Sequence, residues 1–456
     1  MPSYKTNKTI ISLLLLPLLI FSVQKIIQLQ QQASGTYANI IVNTQKTDDP
    51  LPASLWANFS QGGEEASDML APVLPQVTAL QPQYIRIDHL FDYYDVYQGP
   101  NQFNFTKLDL VIDTILATGA TPFLSLSYTP ASITQNGQNA SVPQDWNLWD
   151  QMVKATVNHY SVEKNIKNIY YEVWNEPDLF GSWHYQKNPS YLTLYTHTAQ
   201  AIVDGAVGTQ YKIGGPATTA FYKNWIISLL NHCQTQNLPL DFISFHLYSP
   251  HLSDFQKDLI SLDKILHTYP RYQHLEKIIS ESGPYSDPHG SYDNSSSALH
   301  FLSLATSISS QNTKLFTFEL VDGPTPRSDL SSGWGLLTHP KFNSQPKPRY
   351  QAYLFLNQLK GDRLLSSGNG SWVSSLSSKH NQTIQTLLVN YDPSNQHYEK
   401  IPLTYQYLSP GSYQLKTINF LGKTEIKNLR LFYSHHTEFI SLLPNSAIIL
   451  ELSPSF

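Results

Sequence analysis

Cysteine and charge are both scarce in this chain. Cys233 is the only cysteine among 456 residues, which excludes an intramolecular disulfide and any cysteine-based metal centre. It follows the apolar helical run Trp225, Ile226, Ile227, Leu229, Leu230, so it reads as packed core. Charged residues make up 14% of the chain, against about 25% in average proteins. Lys and Arg number 29 and Asp and Glu 34, for a net charge of −5. Without a basic excess to neutralise phosphates, a nucleic-acid partner is not expected. There is no repeat of fixed period, no phosphate-binding glycine loop and no dinucleotide fingerprint. The scattered histidines, His435-His436 included, lack metal-ligand spacing, so neither a metal nor a cofactor is expected.

Aromatics, in contrast, are plentiful: Tyr 28, Phe 20 and Trp 8, or 12% of the chain. That content excludes a disordered polymer, and a neutral, polar, aromatic-rich surface suits uncharged, hydroxyl-rich ligands. At the N-terminus Lys5 and Lys8 precede an apolar run from Ile10 to Val23. Its 14 residues would span about 21 Å as a helix, short of the ~30 Å of a bilayer core. It reads as a secretory signal or an uncleaved N-terminal membrane anchor, and the remainder is expected to be exported, to the extracellular space, cell surface or periplasm.

From about Ser54 the pattern alternates between short apolar strands and helical stretches. The expected strands are Ser54–Asn58, Tyr84–Ile87, Thr121–Ser127, Ile169–Trp174, Lys212–Gly215, Phe242–Leu247, Lys277–Ser282 and Leu315–Leu320. Helical patterns lie between them, for example Lys107–Ala117, Tyr191–Val207 and Ser295–Ser309. Eight such alternations predict an α/β fold, a (β/α)8 TIM barrel. Beyond Gly361 the helical period disappears and short strands follow turn-rich runs, which predicts a small all-β sandwich. The expected organisation is 1–36 as signal or anchor and spacer, 37–360 as barrel and 361–456 as sandwich. Ala38–Val42 has strand character and precedes the barrel, so 37–46 is left open as a strand of the sandwich rather than of the barrel.

In such a barrel, catalytic groups sit at the C-terminal ends of strands. IYYEVWNEPD places Asn175-Glu176 at the tip of the fourth strand, and KIISESG places Glu281 at the tip of the seventh. Glycoside hydrolysis needs two such carboxyl groups, one to protonate the leaving oxygen and one to attack or stabilise the oxocarbenium-like centre. Three β/α units fill the 105 residues between them. Arg86, ending the second strand, is placed to hold Glu281 ionised.

These segments resemble glycoside hydrolase family 39, a family of retaining barrel glycosidases. YYEVWNEPDLFGSW (Tyr170–Trp183) resembles its acid/base segment and IISESGPYS (Ile278–Ser286) its nucleophile segment. DFISFHLYS (Asp241–Ser249) is similar to its sixth strand, and Gly333–Leu359 to its last loop and helix. The resemblance implies Glu176 as acid/base and Glu281 as nucleophile in a double displacement, and a carbohydrate, oligo- or polysaccharide, as substrate. It implies substrate contacts from Asn175, His246 and Tyr248. Arg86, Asp88, His89, Tyr128 and Trp174 lie where sugar faces or hydroxyls would be met, and Glu319 on the eighth strand is left open between facing the sugar and pairing with a neighbouring cation. The chain also departs from the xylosidase-like pattern. Asp88, with His89 next, stands where those members have a histidine, and Ser125 and Ser127 replace an acidic/aromatic pattern. Xylose, iduronic acid and an exopolysaccharide chain therefore stay open as substrates. A non-catalytic carbohydrate-binding protein is the alternative, and retention of both glutamates in full context argues against it.

Overall fold

The computed structural model describes residues 35–63, 65–324 and 333–455. The apolar run Ile10–Val23, read above as signal or anchor, lies outside the described residues. Among the described residues no helix is long and apolar enough to cross a membrane.

Strand β1 (Ile40–Pro50) precedes the barrel but does not enter it. The barrel closes from eight parallel strands: β2 (Asn58–Gln61), β3 (Tyr84–Ile87), β6 (Thr121–Leu126), β7 (Ile169–Val173), β8 (Tyr211–Thr218), β9 (Phe242–Tyr248), β10 (Glu276–Gly283) and β11 (Thr313–Phe318). A two-stranded ribbon, β4 (Tyr97–Gly99) and β5 (Gln102–Phe103), sits in the loop after β3. The alternation read from the sequence thus builds the barrel, with one strand displaced. Ser54–Trp56 belong to a short helix, Ala53–Trp56, and the strand starts at Asn58. Leu55 and Trp56 are apolar and buried, which made that stretch look like a strand. The true strand, Asn-Phe-Ser-Gln, is polar at three of four positions although every residue is buried.

Side chains of successive strand residues point to opposite faces, and here the even-numbered positions of several strands form layers inside the barrel. Phe123 from β6 joins Tyr170, Phe242, Ile278 and Phe316 in an apolar plug. Its rings meet at centroid distances of 4.9 to 5.6 Å. One step of two residues further along come Arg86, Glu172, Ser244 and Ser280, and these are buried and polar. Another step reaches Asp88, His246 and, beyond them, Tyr248. Polarity therefore rises along the barrel axis, from a hydrophobic floor to the C-terminal mouth. Outside, the helices pack on the alternate, outward-facing apolar positions, such as Leu124, Leu126, Ile169 and Tyr171. Cys233, on the helix Lys223–Gln236, is fully buried in this layer, where burial pushes its thiol up to about 12.

The remaining strands form one antiparallel-rich sheet that wraps into a sandwich. They are β12 (Asp362–Ser367), β13 (Val373–His380), β14 (Thr383–Asn390), β15 (Glu399–Gln406), β16 (Gly411–Asn419), β17 (Thr424–Leu431), β18 (His435–Leu442) and β19 (Ser446–Pro454). Their order is β17-β16-β19-β14-β13-β12-β1-β15-β18. β1 runs antiparallel to β12 and parallel to β15, joining the two. The sandwich seats on the buried helix Ser295–Ser307, where Ser303 and Thr306 hydroxyls meet Ser374 at 3.1 and 2.5 Å.

Candidate active site

Two irregularities in the sheet bring the site together. Between β9 and β10 the pairing jumps from Ile279↔Phe245 to Glu281↔His246, so Ser280 is an extra residue. Regular alternation would send Glu281 outward with Ile279; the bulge turns it into the barrel beside His246. Between β8 and β9 the pairing jumps from Pro216↔Ser244 to Thr218↔Phe245, making Ala217 the extra residue. The carbonyl of Ala217, freed there from the ladder, accepts the Glu176 N–H at 2.9 Å. Bulges of this kind re-aim side chains at active sites.

Glu176 itself has a left-handed backbone (φ 46°), as does Trp174 (φ 72°). Each such non-glycine residue costs on the order of 1–3 kcal/mol and persists only where its surroundings hold it. The carbonyl of Trp174 accepts Ser125 Oγ at 2.9 Å, and its ring nitrogen donates to the Phe180 carbonyl at 2.9 Å. The Glu176 carbonyl accepts the N–H groups of Leu179 and Phe180. The left-handed turn also carries the Trp174 ring out of the barrel line, into contact with Trp149, Trp183 and Tyr128. Trp174 is 0% exposed. It was expected to face a sugar; instead it braces the turn from behind and offers no free ring face.

Arg86 is the hub of the site and fully buried. Its Nε donates to Glu172 Oε2 at 2.7 Å, Nη1 to Glu281 Oε1 at 2.9 Å, and Nη2 to Asn175 Oδ1 at 2.7 Å. Asn175 Nδ2 in turn donates to the Tyr128 hydroxyl at 2.7 Å, and Tyr248 donates to Glu281 Oε2 at 2.8 Å. His246 Nδ1 lies 2.9 Å from Glu176 Oε1 and 3.3 Å from Glu281 Oε2, while its Nε2 is buried without a partner. A carboxylate oxygen of each glutamate and a ring nitrogen of His246 all fall within 4.8 Å of one another. Two carboxylates and a histidine are also metal-ligand types. Here the histidine nitrogen nearest both acids is engaged in a hydrogen bond to one of them, an arrangement suited to sharing a proton.

The other expected residues spread around this centre. Asp88 borders it, 6% exposed, and its Oδ1 has no hydrogen-bond partner. Burial raises its pKa against the opposing pull of His89 and Arg86. His89 Nδ1 contacts Asp92 Oδ2 at 2.9 Å, and its ring stacks on Tyr93. Glu319, just past β11, is buried and accepts Gln61 Nε2 at 3.1 Å. Two participants escaped the sequence reading, Glu172 and Gln61. Glu172 had a signal: an acid inside an otherwise apolar strand, two positions before Trp174, with the parity of the barrel interior. Gln61 had none, because its strand was misplaced.

The charge balance refines one expectation. Arg86 and His246 do pull the Glu281 pKa down, but burial acts more strongly, and Glu176 and Asp88 add to it, so the net direction is upward. For His246, burial alone would lower the pKa; Glu281 and the hydrogen bond to Glu176 outweigh it and raise it. Tyr248 and Tyr128 are pushed up mainly by burial and stay neutral. A glutamate whose folded pKa exceeds its unfolded value binds its proton more tightly when folded. Ionised Glu281 therefore costs stability at neutral pH, and the cost vanishes below the unfolded pKa. Glu281→Gln should raise Tm by roughly 1–3 °C at pH 7, with the gain lost on acidification. Thermal melts across pH check this, and an equal or lower Tm at pH 7 would contradict it.

The model for Glycosyl hydrolases family 39 matches residues 76–405. A β-xylosidase of Geobacillus stearothermophilus is 28% identical over 295 residues, covering 58% of this chain and 57% of that protein. One of Caldicellulosiruptor saccharolyticus is 26% identical over 297 residues, covering 58% and 59%. The matched region thus spans less than two thirds of these relatives. Among solved structures, a monomeric β-xylosidase from Caulobacter crescentus CB15 superposes with a TM-score of 0.77 at 20% identity, covering 92% of this chain and all (100%) of that one. The GH39 enzyme from Xanthomonas axonopodis pv. citri gives 0.76 at 20% identity, covering 92% and 98%. These structural likenesses carry the fold, and the family match extends from the barrel into the sandwich: the chain belongs to glycosyl hydrolase family 39.

Proposed function

We propose that the chain is a retaining glycoside hydrolase acting on β-xylosides, with Glu281 as nucleophile and Glu176 as acid/base. The observation that carries this reading is the spacing of the two carboxylates. Oxygens within 4.8 Å of each other suit the ~5–5.5 Å of retaining enzymes and leave no room for the ~6.5–9.5 Å of inverting ones. Glu281 Oε1 is held by Arg86 and Oε2 by Tyr248, so both oxygens are oriented before substrate arrives. Glu281 attacks the anomeric carbon as Glu176 gives its proton to the leaving oxygen. Glu176 then takes a proton from the water that releases the sugar.

Asn175, fixed between Arg86 and Tyr128, and the unpartnered Nε2 of His246 and Oδ1 of Asp88 are offered to sugar hydroxyls. The two curated relatives, both β-xylosidases, support xylose as the sugar. A panel of 4-nitrophenyl glycosides tests the choice: the β-xyloside should be cleaved with at least about tenfold higher kcat/KM than the β-glucoside, β-galactoside or α-L-iduronide. Turnover of another glycoside with none of the β-xyloside would overturn it.

We further propose export, on the strength of Lys5, Lys8 and the apolar run Ile10–Val23. Alkaline phosphatase fused after residue 40 should be active in a bacterial host. An inactive fusion, confined to the cytoplasm, would refute export.

A further inference from the structure

The sandwich carries a concavity that shares no residue with the catalytic centre. The turn after β15, the hairpin turn between β13 and β14, and the end of β19 enclose about 430 Å3. That is within the ~300–1,000 Å3 of small-ligand sites. Its wall presents the Ser412 hydroxyl, the amides of Asn381 and Gln382, the ring of Tyr407 and the Lys379 ammonium, with Thr44 buried behind them, and no lining residue is acidic. Lys379 Nζ donates to the Thr44 carbonyl at 3.0 Å, so the cation is engaged in the wall. Ser412 Oγ accepts from Arg430 at 2.9 Å.

Tyr407 is the unusual member. It is 52% exposed on a left-handed backbone, φ 64°. Thr44 Oγ1 donates to its carbonyl at 3.1 Å and to that of Gln406 at 2.8 Å, while Leu408 N donates to the Ser434 carbonyl at 2.8 Å. These bonds fix the turn while its ring stays half in solvent. They also bring it next to the turn after β17, where Phe432 and Tyr433 are 74% and 71% exposed. An exposed aromatic ring on a fixed turn, beside uncharged donors and acceptors, matches a ligand with apolar ring faces and many hydroxyls. It is poorly matched to a phosphate, which calls for free cations.

We propose that this concavity is a second, non-catalytic binding site for a neutral polysaccharide chain, with Tyr407 as the stacking platform. Only the choice of xylan as probe rests on the proposed activity. The test uses the full chain carrying Glu281→Ala, so that bound sugar is not cleaved, titrated calorimetrically with xylohexaose, cellohexaose and mannohexaose. At least one should fill two sites, one of which weakens on the order of tenfold when Tyr407→Ala is added. Tyr407→Phe should keep that site, and Gln382→Ala should weaken it. In the active enzyme, Tyr407→Ala should leave 4-nitrophenyl β-xyloside hydrolysis unchanged and lower kcat/KM on soluble arabinoxylan several-fold. No binding by any of the three sugars, or binding that is wholly indifferent to Tyr407→Ala, would overturn the proposal. Failure of the proposed activity would show separately, as absent aryl xyloside turnover in the unmutated chain.

Discussion

Glu281→Ala should lower kcat on aryl β-xylosides by roughly 10^4-fold or more, since the covalent step loses its nucleophile. The cavity left by the carboxylate lies between Arg86 and Tyr248, which held its two oxygens at 2.9 and 2.8 Å. A small anion can occupy it. Added sodium azide should therefore restore turnover of an activated β-xyloside, and attack from the face opposite the leaving group should give the α-xylosyl azide. Activity in Glu281→Ala without any added nucleophile would remove that residue from its role. Arg86 is a less clean target. Its loss would leave Glu172 and Glu281, both buried, without their shared cation, at a cost of about 3–5 kcal/mol.

Glu176→Ala should separate the two chemical steps. With a poor leaving group such as an alkyl alcohol, loss of the proton donor should reduce kcat/KM by about 10^2–10^4-fold. With 2,4-dinitrophenolate, which departs without a proton, the first step should be nearly unaffected. Water is then no longer activated for the second step, so the xylosyl-enzyme should accumulate and give a burst of dinitrophenol equal to the enzyme concentration. Azide should speed its release as the β-xylosyl azide. Equal losses on both leaving groups, with no burst, would argue that Glu176 positions substrate and transfers no proton. Its neighbour His246, 2.9 Å away, would then be the residue to test.

Much of this architecture was written plainly in the chain. Apolar strands separated by helical periods carried the barrel, because each unit must bury one face of a helix on a strand. The two glutamates stood out for the same reason: an acid directly after an apolar strand sits at the barrel mouth. Where the reading went astray, a local rule was broken. Asn58–Gln61 hides a buried strand in polar letters because the barrel interior above the aromatic plug is itself polar. The edge strand β17 is exposed along most of its length and so shows no alternation. Trp174 has the parity of a barrel-interior residue, but its left-handed turn sends the ring into the helix layer. Period-two counting puts Glu281 on the wrong face, and only the extra residue at Ser280 corrects it. Nothing in the letters Ile-Ser-Glu-Ser announces that bulge.

The proposed double displacement rests on carboxylate oxygens within 4.8 Å of each other, a spacing that leaves no room for a water between one of them and the sugar, and one spectrum tests it. Proton NMR of 4-nitrophenyl β-xyloside hydrolysis, recorded before mutarotation, should show β-xylose as the first-formed product. α-Xylose appearing first would contradict the mechanism.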